Sequence, residues 1–246
     1  MPVAAGWEAY LAGFHAERPG ITEAVLGRAT GDPYGWVLEA LPDEGRVVDV
    51  ACGSGPLAGR LGARWLGLDR SADELALARR RAPGAVVRAD AAVLPLPDGG
   101  AAAVVCSMAL MLLEPRGAVL AEVRRVLAPG GRLVALLPAT APLQMGDRWR
   151  YGRLLLALRQ ARLPFPGTDV LDRPAAVLAA AGLRLTADDR RRFAYPVDDP
   201  AAADRLVRSL YLPDTGAERV AAAVAVARRW EGSELGLPLR RLVAES

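Results

Sequence analysis

The hydrophobic residues in the first half of the chain predict short apolar strands that alternate with amphipathic helices. Apolar segments without a polar face are typical of parallel strands that are buried on both sides. Strands that alternate with helical patterns indicate a parallel sheet. We therefore expect an α/β fold with strands at 47–50, 65–69, 85–89, 102–107 and 132–137, and with helices at 72–81 and 116–128.

Helical patterns also flank this alternating region. Residues 1–45 predict helices ahead of the sheet, which we interpret as a lid. Residues 138–246 predict helices at 148–162 and 174–181, two more between 200 and 230, and strands at 183–194 and 237–244. Since no linker or repeat separates these parts, we expect one domain over residues 1–246 with its core at 46–137.

The first strand runs directly into a glycine-rich turn. Gly53 and Gly55 allow the backbone to turn sharply with no Cβ to obstruct a ligand. Pro56 suits the first turn of a helix because its missing N–H is not needed there, so the free N–H groups of that helix would face the turn. This arrangement predicts a cradle for a nucleotide-containing ligand.

Two classes of cofactor use such a turn. Residues 53–58 fit the dinucleotide pattern G-x-G-x-x-G/A, with Asp69 near the ~20-residue offset of a ribose partner, which favours a nicotinamide dehydrogenase. Asp49 argues against that class, because a dinucleotide fold normally has an apolar residue at this point of the strand. A carboxylate there either orders the turn or reaches a cationic group of a ligand.

Composition and charge exclude several classes of protein. A chain of 246 residues, 52% hydrophobic and 24% charged, suits a globular α/β domain. Its 31 basic residues are all arginine, and its net charge of +3 is too small to predict a nucleic-acid partner. No apolar run approaches the ~18 residues of a membrane span and residues 1–8 show no export signal, so we expect a cytoplasmic protein with no membrane partner. The only cysteines, Cys52 and Cys106, match no zinc pattern, so we expect reduced core thiols and no metal.

Three segments carry a resemblance to a known family. Residues 49–55, Asp-Val-Ala-Cys-Gly-Ser-Gly, resemble motif I of the class I S-adenosylmethionine-dependent methyltransferases, with Ala51 in place of the usual first glycine. Residues 125–131, Arg-Val-Leu-Ala-Pro-Gly-Gly, resemble the post-motif of the same family. Residues 94–99, Leu-Pro-Leu-Pro-Asp-Gly, resemble the subgroup related to the ubiquinone and menaquinone biosynthesis methyltransferases (methyltransferase type 11), although Ala101-Ala102 replace the Phe-Asp that usually follows.

The resemblance implies a fold and a cofactor. The fold is a Rossmann-like, doubly wound sheet of seven strands in the order 3-2-1-4-5-7-6, with the last strand antiparallel, an N-terminal helical lid and a helical insertion before the last strand. The cofactor is S-adenosyl-L-methionine, with residues 46–137 as the cofactor-binding core and residues 138–246 facing the substrate. Because strands one and four would be neighbours, Cys52 and Cys106 should lie close together at one sheet edge.

The resemblance also implies which residues bind the cofactor. Asp69 would accept the ribose hydroxyls, and Asp90 and Ala91 would meet the adenine ring; for Asp69 the alternative is a surface acid beside the helix that Ser71 and Glu74 open as a capping box. The expected cofactor-binding set is Asp49, Ala51, Cys52, Gly53, Gly55, Asp69, Arg70, Asp90, Ala91, Ser107 and Met108.

No catalytic residue is evident from the sequence. His15, the only histidine, and Tyr10, which matches an aromatic residue that related enzymes place over the cofactor, are candidates for a general base, and a purely structural role for His15 stays open. Met108, Met111 and Leu112 stand where related enzymes often have a histidine pair, and form either an apolar substrate floor or part of the core.

The resemblance therefore implies a methyltransferase (EC 2.1.1.-) that acts on an O, N or C atom of a small molecule, with secondary metabolites as one class of acceptor. Two alternatives stay open: a methyltransferase of RNA or another macromolecule, and a catalytically silent S-adenosylmethionine-binding protein. The sequence indicates neither the acceptor nor the oligomeric state.

Overall fold

The structure, a computed structural model, describes residues 3–246, with side chains from residue 6 onward. Over this range one sheet of seven strands forms in the order β3-β2-β1-β4-β5-β7-β6, which confirms the predicted order. The strands are β1 (Val47–Val50), β2 (Trp65–Asp69), β3 (Val86–Arg88), β4 (Ala101–Ser107), β5 (Leu127–Pro138), β6 (Arg184–Val197) and β7 (Ser233–Glu245).

The first five strands are parallel, and β7 is antiparallel to both of its neighbours, β5 and β6. β1 lies between β2 and β4 at the point where the strand order reverses. In open α/β sheets ligands bind outside the carboxyl ends of the strands at this point. The topology therefore places a ligand crevice next to the glycine-rich turn that follows β1.

Helices cover both faces of the sheet. They are α1 (Val3–Glu17), α2 (Ile21–Leu26), α3 (Pro33–Leu38), α4 (Ala58–Leu61), α5 (Ala72–Arg81), α6 (Arg116–Val126), α7 (Met145–Leu158), α8 (Asp169–Asp172), α9 (Pro174–Ala180), α10 (Pro200–Arg208) and α11 (Ala217–Arg228). One hydrophobic core packs α6 and α9 against the sheet, and a second packs α3, α4 and α5 against its other face. A third joins α7, α10 and α11 to the ends of β6 and β7.

The two cysteines belong to different cores. Cys106 packs on the α6 face of the sheet and Cys52 on the α5 face. Both are buried free thiols, as predicted. Their neighbouring strands bring them to one edge of the sheet, where each packs in a different core.

Two predicted helices are shorter in the structure, whereas strands β5 and β7, predicted at 132–137 and 237–244, are longer. The helix expected from Pro56 begins at Ala58 and ends at Leu61, followed by one turn of 3-10 helix at Gly62–Arg64. The helix expected to end at 128 stops at Val126, because Leu127 pairs with Ala101 and the chain already runs as β5 through Pro129. The remaining predicted helices and strands are present with boundaries shifted by a few residues.

A buried carboxylate fixes the start of α7 to the paired strands β6 and β7. Asp147 is buried and accepts hydrogen bonds from the backbone N–H groups of Gly236 (2.7 Å) and Gln144 (3.0 Å). It also pairs with the guanidinium of Arg192 on β6, whose Nε lies 2.7 Å away. A Cβ at Gly236 would lie 2.4 Å from Asp147 Oδ2, so this close approach requires a glycine.

We expect Asp147→Ala to lower the free energy of unfolding by about 3 kcal/mol or more, because it leaves Arg192 without its buried partner. Glu234→Ala is the matched control: Glu234 also binds Arg192, but it is half exposed, so its removal should cost about 1 kcal/mol or less. Urea denaturation of both variants checks the difference. Equal destabilisation would show that the burial of Asp147 contributes nothing.

Candidate functional site

A cavity of about 1070 Å³ opens at the carboxyl ends of the parallel strands. Its walls come from the turn after β1, the end of β2, the loops after β3 and β4, helix α1, and Tyr211 between α10 and α11. This volume lies at the upper end of the range typical of small-molecule sites, so it suits a cofactor together with a second ligand.

The cavity gathers nearly all residues that the sequence predicts for cofactor binding. Those that line it are Asp49, Ala51, Cys52, Gly53, Asp69, Arg70, Asp90, Ala91, Ser107 and Met108. Gly55 does not line it. A Cβ at Gly55 would lie 3.1 Å from Ala78 and 3.2 Å from Trp65, so this glycine allows α5 and Trp65 to pack against the turn.

The turn after β1 depends on left-handed backbone at alternate positions. Ala51, Gly53 and Gly55 have φ values of 55°, 54° and 71°. Glycine adopts such values freely, whereas alanine is strained by roughly 1–2 kcal/mol. Ala51, which replaces the usual first glycine of the motif, therefore holds strained backbone at the cavity wall.

Asp69 organises this turn through both carboxylate oxygens. Oδ2 accepts the N–H of Gly53 and Oδ1 accepts the N–H of Ser71, each at 2.8 Å. Burial raises the pKa of Asp69, and the two backbone hydrogen bonds oppose that shift. Each oxygen retains a further lone pair and Asp69 lines the cavity, so the predicted binding of ribose hydroxyls is compatible with this geometry.

Asp49 leaves one buried oxygen without a partner. Its Oδ2 accepts the indole N–H of Trp65 at 3.0 Å, whereas Oδ1 finds no hydrogen-bond partner among the described residues. Burial raises the pKa of Asp49 to about 7. Because no turn N–H binds this carboxylate, the sequence alternative in which Asp49 reaches a cationic ligand group fits the structure better than direct ordering of the turn.

The N-terminal helices are attached to the cradle by two acidic side chains. Glu74 accepts the N–H of Gly20 at 2.9 Å and lies 2.9 Å from His15 Nδ1. Glu23 on α2 accepts the hydroxyl of Ser54 at 2.6 Å. These contacts hold α1 and α2 against the cradle.

The predicted capping box is only half present. Ser71 accepts the N–H of Glu74 at 3.3 Å, but the Glu74 carboxylate does not bond back to Ser71. The N–H of Ser71 is taken by Asp69, which leaves Glu74 free to turn toward α1. The sequence pattern correctly predicted the start of α5. It wrongly predicted that the Glu74 carboxylate would bind the N–H of Ser71.

The two candidate bases have different positions. Tyr10 accepts the N–H of Leu212 at 2.7 Å and packs against Trp7 and Phe14, outside the cavity lining. His15 lines the cavity. Sequence reasoning missed Glu74 and Tyr211 as cavity residues; Tyr211 lies far along the chain in the insertion and has no local signal.

The described residues contain no cluster of three or more His, Cys, Asp or Glu side chains that could hold a metal ion. Over the same range, no helix combines the length and apolar character that crossing a membrane would require.

Comparison with known sequences finds similar proteins for the central region of the chain. Residues 48–135 match the family model described as a methyltransferase domain. A demethylmenaquinone methyltransferase of Thermus thermophilus is 39% identical over 140 residues, which is 53% of this chain and 60% of that protein. One from Beutenbergia cavernae is 40% identical over 119 residues, 47% and 48% of the two chains. A trans-aconitate 2-methyltransferase of Methylobacterium nodulans is 41% identical over 102 residues, 38% of each. The chain thus spans only 38% to 60% of the length of these relatives.

Solved structures share the fold at low sequence identity. A Bacillus halodurans protein with a methyltransferase assignment has a TM-score of 0.56 at 17% identity and covers 87% of this chain and 99% of its own. The [4+2]-cyclase SpnF has a TM-score of 0.53 at 24% identity, with coverage of 86% and 78%.

These findings confirm the resemblance to the ubiquinone and menaquinone biosynthesis subgroup. The family match implies S-adenosylmethionine as the methyl donor, and the unpartnered buried oxygen of Asp49 in the cavity wall fits a cofactor that carries a positive charge. Residues 48–135 therefore resemble a methyltransferase domain, and the solved structures show that the chain shares its Rossmann-like fold with such proteins.

Proposed function

We propose that this protein transfers a methyl group from S-adenosylmethionine to an O, N or C atom of a small-molecule acceptor. The observation that carries the proposal is that the motif residues and the N-terminal helix line one and the same cavity. Bound S-adenosylmethionine supplies a methyl group that its sulfonium already activates. The protein has then to align the acceptor and exclude water, and positioning alone can lower a barrier by ~7 to 11 kcal/mol.

Each motif residue has a role in this proposal. Asp69 binds the ribose hydroxyls while it holds Gly53, and Asp90 with Ala91 binds the adenine ring. Asp49 Oδ1 pairs with a cationic group of the cofactor. Ala51, Cys52 and Gly53 form the cradle wall, and Arg70, Ser107 and Met108 border the same space.

The cavity lining supports an apolar, uncharged acceptor. Beyond the motif residues, its apolar members include Leu11, Leu112, Leu113 and Val119, with Tyr211 beside them. Two of the similar proteins are named for methylation of demethylmenaquinone, a quinone, so a ring-containing, quinone-like acceptor is the class that fits both observations. The relative named for trans-aconitate shows that similar domains also serve a different acceptor.

The charge of the cavity argues against RNA as the acceptor. Eight acidic side chains line it, against two arginines, Arg70 and Arg88. Recognition of a polyanion relies on basic side chains that contact its phosphates.

The other alternative, cofactor binding without methyl transfer, is the second candidate, since the similarly folded SpnF is described as a cyclase.

We expect S-adenosylmethionine to bind the purified protein with micromolar affinity, and Asp69→Ala to weaken binding by about tenfold or more, because ribose contacts and the Gly53 hydrogen bond are lost. Asp43→Ala, which removes an exposed acid outside the cavity lining, is the control with the same change of charge. Calorimetric titration measures all three. A folded wild-type protein with no affinity for the cofactor would contradict the proposal.

Asp49→Asn should stabilise the ligand-free protein at pH 8 by a few kcal/mol and change little at pH 4. Because the pKa of Asp49 is raised to about 7 from an unfolded value near 4, the native state binds the extra proton, and stability falls as pH rises from about 4 to 7. Asparagine has no proton to lose and still accepts from Trp65. Thermal unfolding at both pH values measures this difference.

The same variant tests the cofactor contact. If Asp49 Oδ1 receives a cationic group, Asp49→Asn should bind S-adenosylmethionine about tenfold or more weakly at pH 8, although the variant is the more stable protein. Unchanged affinity would remove Asp49 from the binding site.

A methyl-transfer assay distinguishes the classes of function. We expect mass spectrometry to detect methylated products from a panel of small hydroxylated aromatic compounds and hydroquinones, and none from bulk RNA. Methylated RNA would favour the macromolecular alternative. Tight cofactor binding with no product over the whole panel would favour the silent binding protein.

A further inference from the structure

His15 stands in the middle of a chain of hydrogen-bonding groups that the proposed cofactor contacts do not use. Its Nδ1 lies 2.9 Å from Glu74 Oε1 on α5, and its Nε2 lies 3.3 Å from the hydroxyl of Tyr211. All three side chains line the cavity, although they come from distant parts of the sequence. Three elements thus place one imidazole in a defined orientation.

The contacts of Glu74 fix its carboxylate beside this imidazole. The Glu74 side chain is only 4% exposed, and its second carboxylate oxygen accepts the N–H of Gly20 at 2.9 Å. Burial of a carboxylate is costly unless hydrogen bonds satisfy it. His15 and Gly20 supply those bonds, so the position of Glu74 is fixed from two sides.

The partners of His15 determine where its proton lies. A carboxylate only accepts hydrogen bonds, so Nδ1 carries the proton in the neutral ring and Nε2 carries a lone pair. The Tyr211 hydroxyl is then the donor to Nε2. Burial raises the pKa of Tyr211, which keeps this hydroxyl protonated.

A ligand can replace the hydrogen-bond partner of His15 Nε2. A separation of 3.3 Å is long for a hydrogen bond from a hydroxyl, so Tyr211 holds Nε2 only weakly. The His15 side chain is 24% exposed in the cavity wall. A ligand hydroxyl in the cavity can therefore replace Tyr211 as the group that faces Nε2.

We propose that His15 is the catalytic base for an acceptor with a weakly acidic hydroxyl group, such as a phenol, hydroquinone or enol, and that Glu74 is its positioning residue. This inference rests on the proposed function. The acceptor O–H bond breaks, its proton forms an N–H bond at Nε2, and its electron pair stays on oxygen to form the bond to the methyl carbon. The electron pair of the broken carbon–sulfur bond goes to sulfur, which leaves as a neutral thioether.

The surroundings stabilise the cation that this step creates. Protonation of Nε2 converts His15 into an imidazolium ion, which lies 2.9 Å from the Glu74 carboxylate. The Glu74 carboxylate is thus positioned as the counter-ion of the imidazolium ion.

The tautomer of His15 tests the proposal without any ligand. Because His15 is the only histidine, a protein prepared without a histidine tag and labelled with [15N]histidine gives the signals of this ring alone. In the wild-type protein we expect the neutral ring to carry its proton on Nδ1. Glu74→Gln should raise the population with the proton on Nε2. Glu23→Gln, the same substitution in the other attachment of the N-terminal helices, should leave the tautomer unchanged.

A kinetic experiment tests this inference separately from the proposed function. For hydroxyl acceptors that the wild-type protein methylates, we expect His15→Gln to lower kcat by about 10²- to 10⁴-fold while S-adenosylmethionine affinity stays within about threefold. A wild-type protein that methylates no acceptor would defeat the proposed function. A neutral ring with its proton on Nε2, or full activity of His15→Gln on a hydroxyl acceptor, would overturn the role of His15.

Discussion

Buried carboxylates at the carboxyl edge of the sheet have to find N–H donors, and this requirement shapes the site. Asp69 meets it by binding the N–H groups of Gly53 and Ser71, which ties the turn after β1 to the start of α5. The glycine-rich turn is therefore not ordered by its own sequence alone. An unpaired buried acceptor costs ~1–3 kcal/mol, so each of these bonds stabilises the cradle as well as the acid.

Asp49 meets the same requirement only in part. One oxygen binds Trp65, whose ring has room because residue 67 is glycine: a Cβ there would lie 2.3 Å from the indole. The other oxygen is left over at the cavity wall. A buried acceptor without a partner needs an explanation, and the proposed contact with a cationic group of the cofactor supplies one.

The central fold could be predicted because its signals are local. The apolar strands β1 to β5, the glycines of the turn and the cap at Ser71 each act within a few residues. The site was harder, because Glu74 has the correct spacing for a capping box but is drawn away by Gly20 and His15, which lie more than fifty residues earlier. Tyr211 reaches His15 because the loop between α10 and α11 packs against α1, where Tyr211 contacts Phe14, and no sequence period encodes that contact.

The distribution of charge connects the two proposals. Acidic groups surround the cavity, and the single histidine of the chain is placed among them. Such a field attracts a cationic cofactor, favours an uncharged acceptor over an anionic one, and stabilises a proton that has moved to His15. An acceptor that enters as a neutral hydroxyl and reacts as its anion satisfies all three conditions, since its negative charge exists only while the imidazolium ion and the sulfonium lie beside it. The acidic lining would therefore oppose binding of an acceptor that is already ionised in solution. A base inside the cavity makes such prior ionisation unnecessary, because it removes the proton after the acceptor has bound.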